Sequence, residues 1–386
     1  MNASSRPIVI AAGGTGGHVF PALAVADILR ERDVPVVWIG TRKGLEAKAV
    51  PQAGIPIHWI SVAGLRGKGL LGLITGPFRL LAAIAQSYWV IARLKPRAVL
   101  GMGGFVTGPV GIAAKLNGRP LVLHEQNAVA GLTNRKLARF ASTVFTAMPN
   151  AFSSTVETVL VGNPLRREIE LSGNSKNLEN TKISDEKTNS KIDSNAHVLN
   201  VLIVGGSQGA QVLNTVVPDT LKHLNFAIKL VHQSGLSMYE TVKHTYDSCN
   251  ENTHDVEVKK FIDNMTQAYL WADLVVCRSG AMTVSELAAM SLPSVLVPFP
   301  HAVDDHQTKN AEFLKQAGGA VLIPEELFTA ERLSEVLNDL FKNKDKLEQM
   351  SRSARTCHRP SAATKVADTL LGFVVKVNSS SHGVSA

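Results

Sequence analysis

Short apolar runs rich in β-branched residues recur along the chain, each closed by small or polar residues and followed by a stretch of helical periodicity. The runs are Ile8 to Ala12, Val34 to Ile39, Ala98 to Met102 and Pro120 to His124, then Val198 to Val204, Ala227 to His232, Leu274 to Cys277 and Ser294 to Pro298. Strands alternating with helices in this way predict parallel sheets wrapped by helices, an α/β fold. The series stops near residue 165. Residues 171–197 are polar, free of aromatics and rich in Asn, Ser and Lys. Such a segment cannot bury enough apolar surface to offset the entropy of ordering it, so it is expected to be a solvated linker or loop. The pattern therefore predicts a first domain over 1–165, a linker with a polar insert over 166–197, a second domain over 198–355, a helical region over 356–377 and a disordered tail over 378–386.

A length of 386 residues agrees with two cores rather than one. An apolar fraction of 45% excludes wholesale disorder. The net charge of +8 favours anionic partners without choosing among nucleic acid, a phosphorylated metabolite and acidic lipid. Nucleic acid is disfavoured, because 5% aromatic content leaves few stacking platforms and no nucleic-acid motif is present. The three cysteines, Cys249, Cys277 and Cys357, form no C-x-x-C pair, which fits a reduced, cytoplasmic compartment and implies no metal. The first residues lack the profile of a signal peptide. The most apolar region, 70–92, is broken by Gly72, Gly76, Pro77, Arg79 and Gln86, so no membrane span is expected.

Both halves open with a strand that runs into glycines and then a helix: Gly13-Gly14-Thr15-Gly16-Gly17-His18 in the first and Gly205-Gly206-Ser207-Gln208-Gly209-Ala210 in the second. Without Cβ atoms the backbone can approach a bulky anion, and a helix N-terminus favours phosphate there. The alternative is a tight packing turn. The first turn is no Walker loop, and Val19 stands where a dinucleotide fingerprint needs glycine. The second turn also satisfies the G-x-S-x-G elbow of serine hydrolases, with Ser207 as nucleophile and Glu286 or Asp304 and His306 downstream. Against that rival, a hydrolase leaves the first half without a task. A third small-residue turn, Arg278 to Thr283, leads into a helix carrying Glu286. A carboxylate one turn beyond a diphosphate site can accept hydrogen bonds from two ribose hydroxyls; a solvated helix acid is the plainer alternative.

These residues resemble the MurG family of glycosyltransferases. The resemblance rests on GGTGGHVFPALAVA at 13–26, VAGLRGKG at 62–69, GMGGFVTGP at 101–109, HEQNAVAGLTN at 124–134, VGNPLR at 161–166, VGGSQGA at 204–210, HQSG at 232–235, FIDNM at 261–265 and CRSGAMTVSE at 277–286. It implies two doubly wound, Rossmann-like domains facing across a cleft (GT-B), with the C-terminal helix returning to the first domain. It also implies inverting transfer of N-acetylglucosamine from UDP-N-acetylglucosamine to the C4 hydroxyl of the muramyl sugar of undecaprenyl-linked lipid I. The products are lipid II and UDP, and the role is in peptidoglycan synthesis and hence in cell shape and division. By resemblance the donor site comprises Ser207, Ile262, Ala281, Met282, Thr283, Val284, Ser285, Glu286 and Gln307 in the second domain. Thr15, Gly16, Gly17 and Asn127 from the first domain complete it, with Arg166 from the junction. Gly13, Gly14, Gly103 and Gly104 are candidates for the acceptor pyrophosphate. Another UDP-sugar transferase of the same fold is the alternative, the Ser207 hydrolase a remote one.

The attacking hydroxyl needs a proton acceptor, and the leaving diphosphate needs its charge stabilised. Histidine is the side chain whose charge changes near neutral pH, and His18, at the head of a helix, suits the base, though it can equally fix the loop. Glu125 is the second candidate, with His124 beside it. No D-x-D motif is present, so no cofactor is required, although loosely bound Mg²⁺ is compatible with the sequence. A lipid acceptor requires approach to the bilayer. Leu70, Leu71, Ile74 and Phe78, edged by Arg66, Lys68 and Arg79, form a candidate peripheral patch for the anionic cytoplasmic face of the membrane. A core helix with solvated basic residues is the competing reading. Other cell-wall synthesis proteins are candidate partners.

Overall fold

A computed structural model describes residues 6–62, 70–175, 198–249 and 253–373, the side chains of 70–74 excepted. The chain divides into two compact units. The first comprises Met1–Gln126, Ala130–Pro164 and Ser361–Ala386, and the second Asn127–Val129 and Leu165–Pro360.

The first unit is built on seven strands: β1 (Ile8–Ala11), β2 (Val36–Gly40), β3 (Ile57–Trp59), β4 (Ala98–Gly101), β5 (Leu121–Glu125), β6 (Thr143–Thr146) and β7 (Val159–Leu160). They lie in the order β3-β2-β1-β4-β5-β6-β7, and every pair is parallel. The helices between them are α1 (Gly16–Glu31), α2 (Glu46–Gln52), α3 (Leu70–Leu94), α4 (Gly104–Leu116) and α5 (Leu132–Leu137). β1 shows why the strands read as unbroken apolar runs. Ile8 and Ile10 pack with Val25 and Leu29 of α1, while Val9 and Ala11 pack on the opposite face with Val106 and Val110 of α4. Both faces of a parallel sheet are covered by its crossover helices, so both phases of the period-2 pattern must be apolar.

Past 165 the chain forms α6 (residues 167–175), so the polar stretch expected to be a loop from 171 begins inside a helix. The remainder of that stretch and the 378–386 tail lie outside the described residues. The second unit has six parallel strands: β8 (Leu199–Val204), β9 (Ile228–Gln233), β10 (Asp255–Lys259), β11 (Leu274–Cys277), β12 (Ser294–Leu296) and β13 (Ala320–Leu322). Their order is β10-β9-β8-β11-β12-β13. Around them run α7 (Gln211–Thr220), α8 (Tyr239–Cys249), α9 (Met265–Trp271), α10 (Ala281–Ala289), α11 (His306–Gln316), α12 (Ala330–Lys342) and α13 (Lys344–Thr356). Leu213 and Val217 of α7 and Leu333, Leu337 and Leu340 of α12 close one face over Leu199, Val201 and Ile203.

The last helix, α14 (Ala362–Gly372), joins the first unit. Its stripe of Ala363, Val366, Ala367 and Leu370 enters the cluster formed by Ala22, Val25 and Leu29 of α1. Arg32 pairs with Asp368, and the Arg97 guanidinium donates to the Phe373 carbonyl at 2.9 Å and to that of Leu371. Those bonds satisfy carbonyls that the end of a helix leaves unpaired.

Candidate active site

In an open parallel sheet, ligands bind outside the carboxyl ends of the strands where the chain order reverses. In the first unit that point lies between β1 and β4, and the loops leaving them are the two glycine segments. Gly104 has φ +79°, and a Cβ there would lie 2.3 Å from the Gly13 carbonyl oxygen, so only glycine lets the loops touch. The Thr107 hydroxyl locks the arrangement, accepting from Gly103 N at 3.0 Å and lying 2.9 Å from the Ala11 carbonyl. Beneath the first loop the wholly buried Glu46 carboxylate accepts from Gly14 N at 2.9 Å, Thr41 N at 3.0 Å and the Thr41 hydroxyl at 2.7 Å. α1 begins at Gly16 behind Thr15, with no side-chain cap and no acid in its first turn. Its N-terminus is thus electrostatically suited to an anion.

His18 lies in the first turn of α1, half-buried, with Nδ1 2.9 Å from Gln126 Oε1. Its ring packs against Gly103, where a Cβ would come within 2.8 Å of the imidazole. The other candidates for a base are committed to the scaffold. The buried Glu125 carboxylate accepts from Gly131 N at 3.0 Å and Asn134 Nδ2 at 2.9 Å. His124 is fully buried, with Nε2 2.9 Å from the Gly162 carbonyl, and burial pushes its pKa down to about 4.

In the second unit the reversal lies between β8 and β11, and the loops leaving them are GGSQGA and the Arg278–Thr283 turn. The first of these is held from below by the 232–235 segment. A Cβ on Gly209 (φ +79°) would lie 2.0 Å from the Ser234 carbonyl oxygen, and Gln233 Nε2 donates to the Gly206 carbonyl at 2.8 Å. The other end of the Gln233 amide accepts from Ile262 N at 2.9 Å, which fixes the buried Ile262 relative to the turn. Ser207 is exposed, and no histidine bonds its hydroxyl among the described residues. His232 is committed through both ring nitrogens to Tyr246 and Asn214, and His306 holds the Val303 carbonyl through Nδ1, so among the described residues no histidine is bonded to Ser207 as the base that a hydrolase needs.

α10 starts at Ala281 behind Gly280, again with no side-chain cap and no acid in the first turn. Ala281 and Val284 are buried, whereas Met282, Thr283 and Ser285 are half-buried, and Val284 N already donates to the Gly280 carbonyl at 3.0 Å. Glu286 stands between two partners: Oε2 accepts from Tyr269 OH at 3.0 Å, and Oε1 lies 3.3 Å from Arg166 Nη2. Burial raises its pKa above the ordinary carboxylate value, and Arg166 and Tyr269 pull it part of the way back. Gln307 braces the β12 end, its Oε1 accepting from Phe299 N at 3.0 Å and its carbonyl from the Ser279 hydroxyl at 2.8 Å. Asn127, expected in the first domain, belongs to the second unit. Asn310 holds the 127–128 segment by accepting from Ala128 N at 2.8 Å and donating to Asn127 Oδ1 at 3.3 Å, and it donates to the Ser279 carbonyl at 3.1 Å.

Sequence reasoning missed Glu46, Thr107, Gln126, Gln233, Tyr269 and Asn310. Thr107, Gln126 and Gln233 stand inside the motifs that carry the resemblance, so position there was their available signal; Glu46, Tyr269 and Asn310 carry none. Of the membrane patch, Leu70, Leu71 and Ile74 have side chains outside the described residues. Phe78 is 71% exposed and is followed on α3 by Leu81 at 63% and Trp89 at 72%, while Ala83, Ser87 and Ile91 form the buried side of the helix. Among the described residues no helix is long and apolar enough to cross a membrane, and no group of His, Cys, Asp or Glu is placed to hold a metal ion.

Two doubly wound parallel units in one chain, each with an uncapped glycine turn at its reversal point, define the GT-B class of nucleotide-sugar glycosyltransferases. Residues 8–146 match the glycosyltransferase family 28 N-terminal domain and residues 200–369 the family 28 C-terminal domain. The chain is 47% identical over 380 residues to the UDP-N-acetylglucosamine--N-acetylmuramyl-(pentapeptide) pyrophosphoryl-undecaprenol N-acetylglucosamine transferase of Shewanella frigidimarina, covering 97% of this chain and 99% of that one. It is 47% identical over 368 residues to the protein of the same name from Methylococcus capsulatus, covering 95% and 98%. The crystal structure of Acinetobacter baumannii MurG superposes with a TM-score of 0.78 at 36% identity, covering 95% of this chain and 99% of that one. The chain belongs to the MurG family.

Proposed function

We infer that the protein transfers N-acetylglucosamine from UDP-N-acetylglucosamine to the muramyl sugar of lipid I, giving lipid II and UDP. The observation that carries this reading is near full-length similarity to N-acetylglucosamine transferases of this specificity, in a chain whose second unit pairs an uncapped helix N-terminus with Glu286 one turn later. In that unit the diphosphate lies against the Ser207 and Ala281 turns, where oriented N–H groups meet the charge that develops on leaving UDP. Glu286 accepts from the ribose hydroxyls, and Ile262 borders the base. In the first unit the loops at 13–17 and 103–104 hold the acceptor pyrophosphate. His18 takes the proton of the attacking C4 hydroxyl as its oxygen bonds to the anomeric carbon; the bond from that carbon to UDP breaks with inversion, its electron pair leaving on the diphosphate. The choice of His18 over Glu125 is supported by the hydrogen bonds that already occupy Glu125. The exposed Phe78, Leu81 and Trp89 support peripheral approach to the cytoplasmic face of the membrane, where the lipid acceptor is met.

The test is UDP release with a lipid I analogue, from UDP-N-acetylglucosamine and from UDP-glucose. Release confined to the acetylated donor and dependent on acceptor is expected; equal release from either donor without acceptor contradicts the reading. His18→Ala should lower turnover by at least about a hundredfold with UDP-N-acetylglucosamine affinity nearly intact. Normal turnover removes His18 from the chemistry.

A further inference from the structure

We propose that two buried residues, His124 and Gln126, fix the tautomer of His18, placing its proton on Nδ1 and leaving the Nε2 lone pair free to receive the proton of the attacking hydroxyl. The catalytic consequence rests on the reading of His18 as the base; the tautomer follows from the hydrogen-bond geometry and the burial of His124.

The relay has four members: the Gly162 carbonyl, His124, Gln126 and His18. A carbonyl only accepts, so the 2.9 Å contact between His124 Nε2 and Gly162 O puts a hydrogen on Nε2. Burial holds His124 neutral, with its pKa pushed down to about 4, so its Nδ1 is bare at neutral pH. That bare nitrogen lies 3.1 Å from Gln126 Nε2, which therefore donates to it. The same Gln126 nitrogen lies 3.2 Å from the His124 backbone carbonyl, a second group that only accepts. Turning the amide over would set its oxygen against two acceptors, so its orientation is determined. The oxygen then faces outward, 2.9 Å from His18 Nδ1, and an amide oxygen only accepts. His18 must donate from Nδ1.

This tautomer matters because the two ring nitrogens are not equivalent, and the hydrogen bond made by one decides which of them can act. Free imidazole prefers its hydrogen on Nε2, the wrong place for a base that reacts through that atom. With Nδ1–H held by Gln126, proton uptake at Nε2 gives an imidazolium whose Nδ1–H keeps the same partner, so the relay serves the ring before and after transfer. Gln126 and His124 are 1% and 0% exposed, so solvent does not compete for these bonds. Gly103, beneath the ring, admits the imidazole because it has no side chain. Gln126 and His124 are thus positioning residues for His18.

The test uses the full-length protein labelled with ¹⁵N-histidine, with long-range ¹H–¹⁵N spectra at neutral pH and the His18 signals assigned by their loss in His18→Gln. His18 should show a protonated Nδ1 and a bare Nε2, and His124 the opposite pattern. A wild-type His18 protonated on Nε2 overturns the proposal, whatever any variant does. In Gln126→Met the His18 signals should move to the Nε2–H form or to an average of both. Its kcat should fall at least about tenfold, a part of what general-base catalysis contributes, while KM for UDP-N-acetylglucosamine holds. Retention of the Nδ1–H signal with normal kcat in that variant also overturns it. If the wild-type tautomer is as stated and His18→Gln turns over normally, the base assignment fails and the relay stands.

Discussion

Glu286 answers to three influences at once, and their balance gives a pH dependence. Burial raises its pKa above 4.5, and Arg166 and the Tyr269 hydroxyl only partly offset that. As pH falls, the group therefore takes up its proton earlier than an ordinary carboxylate does and becomes a poorer acceptor for the two ribose hydroxyls proposed to bind it. KM for UDP-N-acetylglucosamine is expected to rise on the acid side at a pH above 4.5, and Glu286→Gln to abolish that rise, as initial rates across a pH series will show. Glu46 is a residue of another kind, an acceptor for three donors under the first glycine loop. Glu46→Gln turns an amide hydrogen toward N–H groups that need an acceptor, which should cost about 1–3 kcal/mol of stability in a denaturant titration. Neither role is readable from composition, because each depends on which donors the fold carries to the carboxylate.

At the scale of elements, the sites depend on loops that touch through glycine. Gly209→Ala would drive its Cβ into the Ser234 carbonyl, so the turn after β8 must open. Displacement by about 1 Å costs up to roughly a hundredfold in rate when groups must be aligned. KM for UDP-N-acetylglucosamine in Gly209→Ala should rise at least about tenfold, whereas Gly372→Ala, at a position with nothing within 4 Å, should leave it unchanged. The return of α14 to α1 is a packing device, and Leu370→Ala should destabilise the first unit by about 2–5 kcal/mol in thermal or denaturant unfolding. Eight expected strands are present, and the five that escaped notice explain themselves. β3, β7, β10 and β13 are sheet edges and β6 is next to one. An edge strand is covered on fewer sides, so β10, Asp-Val-Glu-Val-Lys, and the exposed dipeptide β7 do not read as apolar runs.

For the whole molecule, two buried neutral histidines set the acid limit of stability. The pKa of His124 falls from 6.5 to about 4 and that of His232 from 6.5 to about 3, in each case chiefly through burial. The unfolded chain takes up these protons near pH 6.5 and the folded chain only near pH 4 or 3. The stability these two groups contribute is therefore full above pH 6.5 and declines as pH falls, down to about 4 for His124 and about 3 for His232, each histidine adding a slope of about 1.4 kcal/mol per pH unit. His232→Gln should flatten the acid limb of a stability-versus-pH curve. The exposed apolar side chains of α3 belong to this scale as well, because their meaning depends on a surface outside the protein. Phe78, Leu81 and Trp89 changed together to Ser should weaken binding to anionic vesicles with little effect on the melting temperature; unchanged vesicle binding would remove the membrane role of this helix.

The sequence by itself determined the two parallel α/β units, their central strands, the three small-residue turns and the family to which the chain belongs. Those features are local: an apolar run, a glycine cluster or an ordered set of motifs is legible wherever it occurs. Only the tertiary structure decided what the turns rest on. Glu46 reaches Gly14 across 32 residues, Gln126 reaches His18 across 108, and Arg166 reaches Glu286 across 120. Such partners are chosen by how strands are ordered in a sheet, and no residue type or spacing along the chain encodes which donor will meet which acceptor.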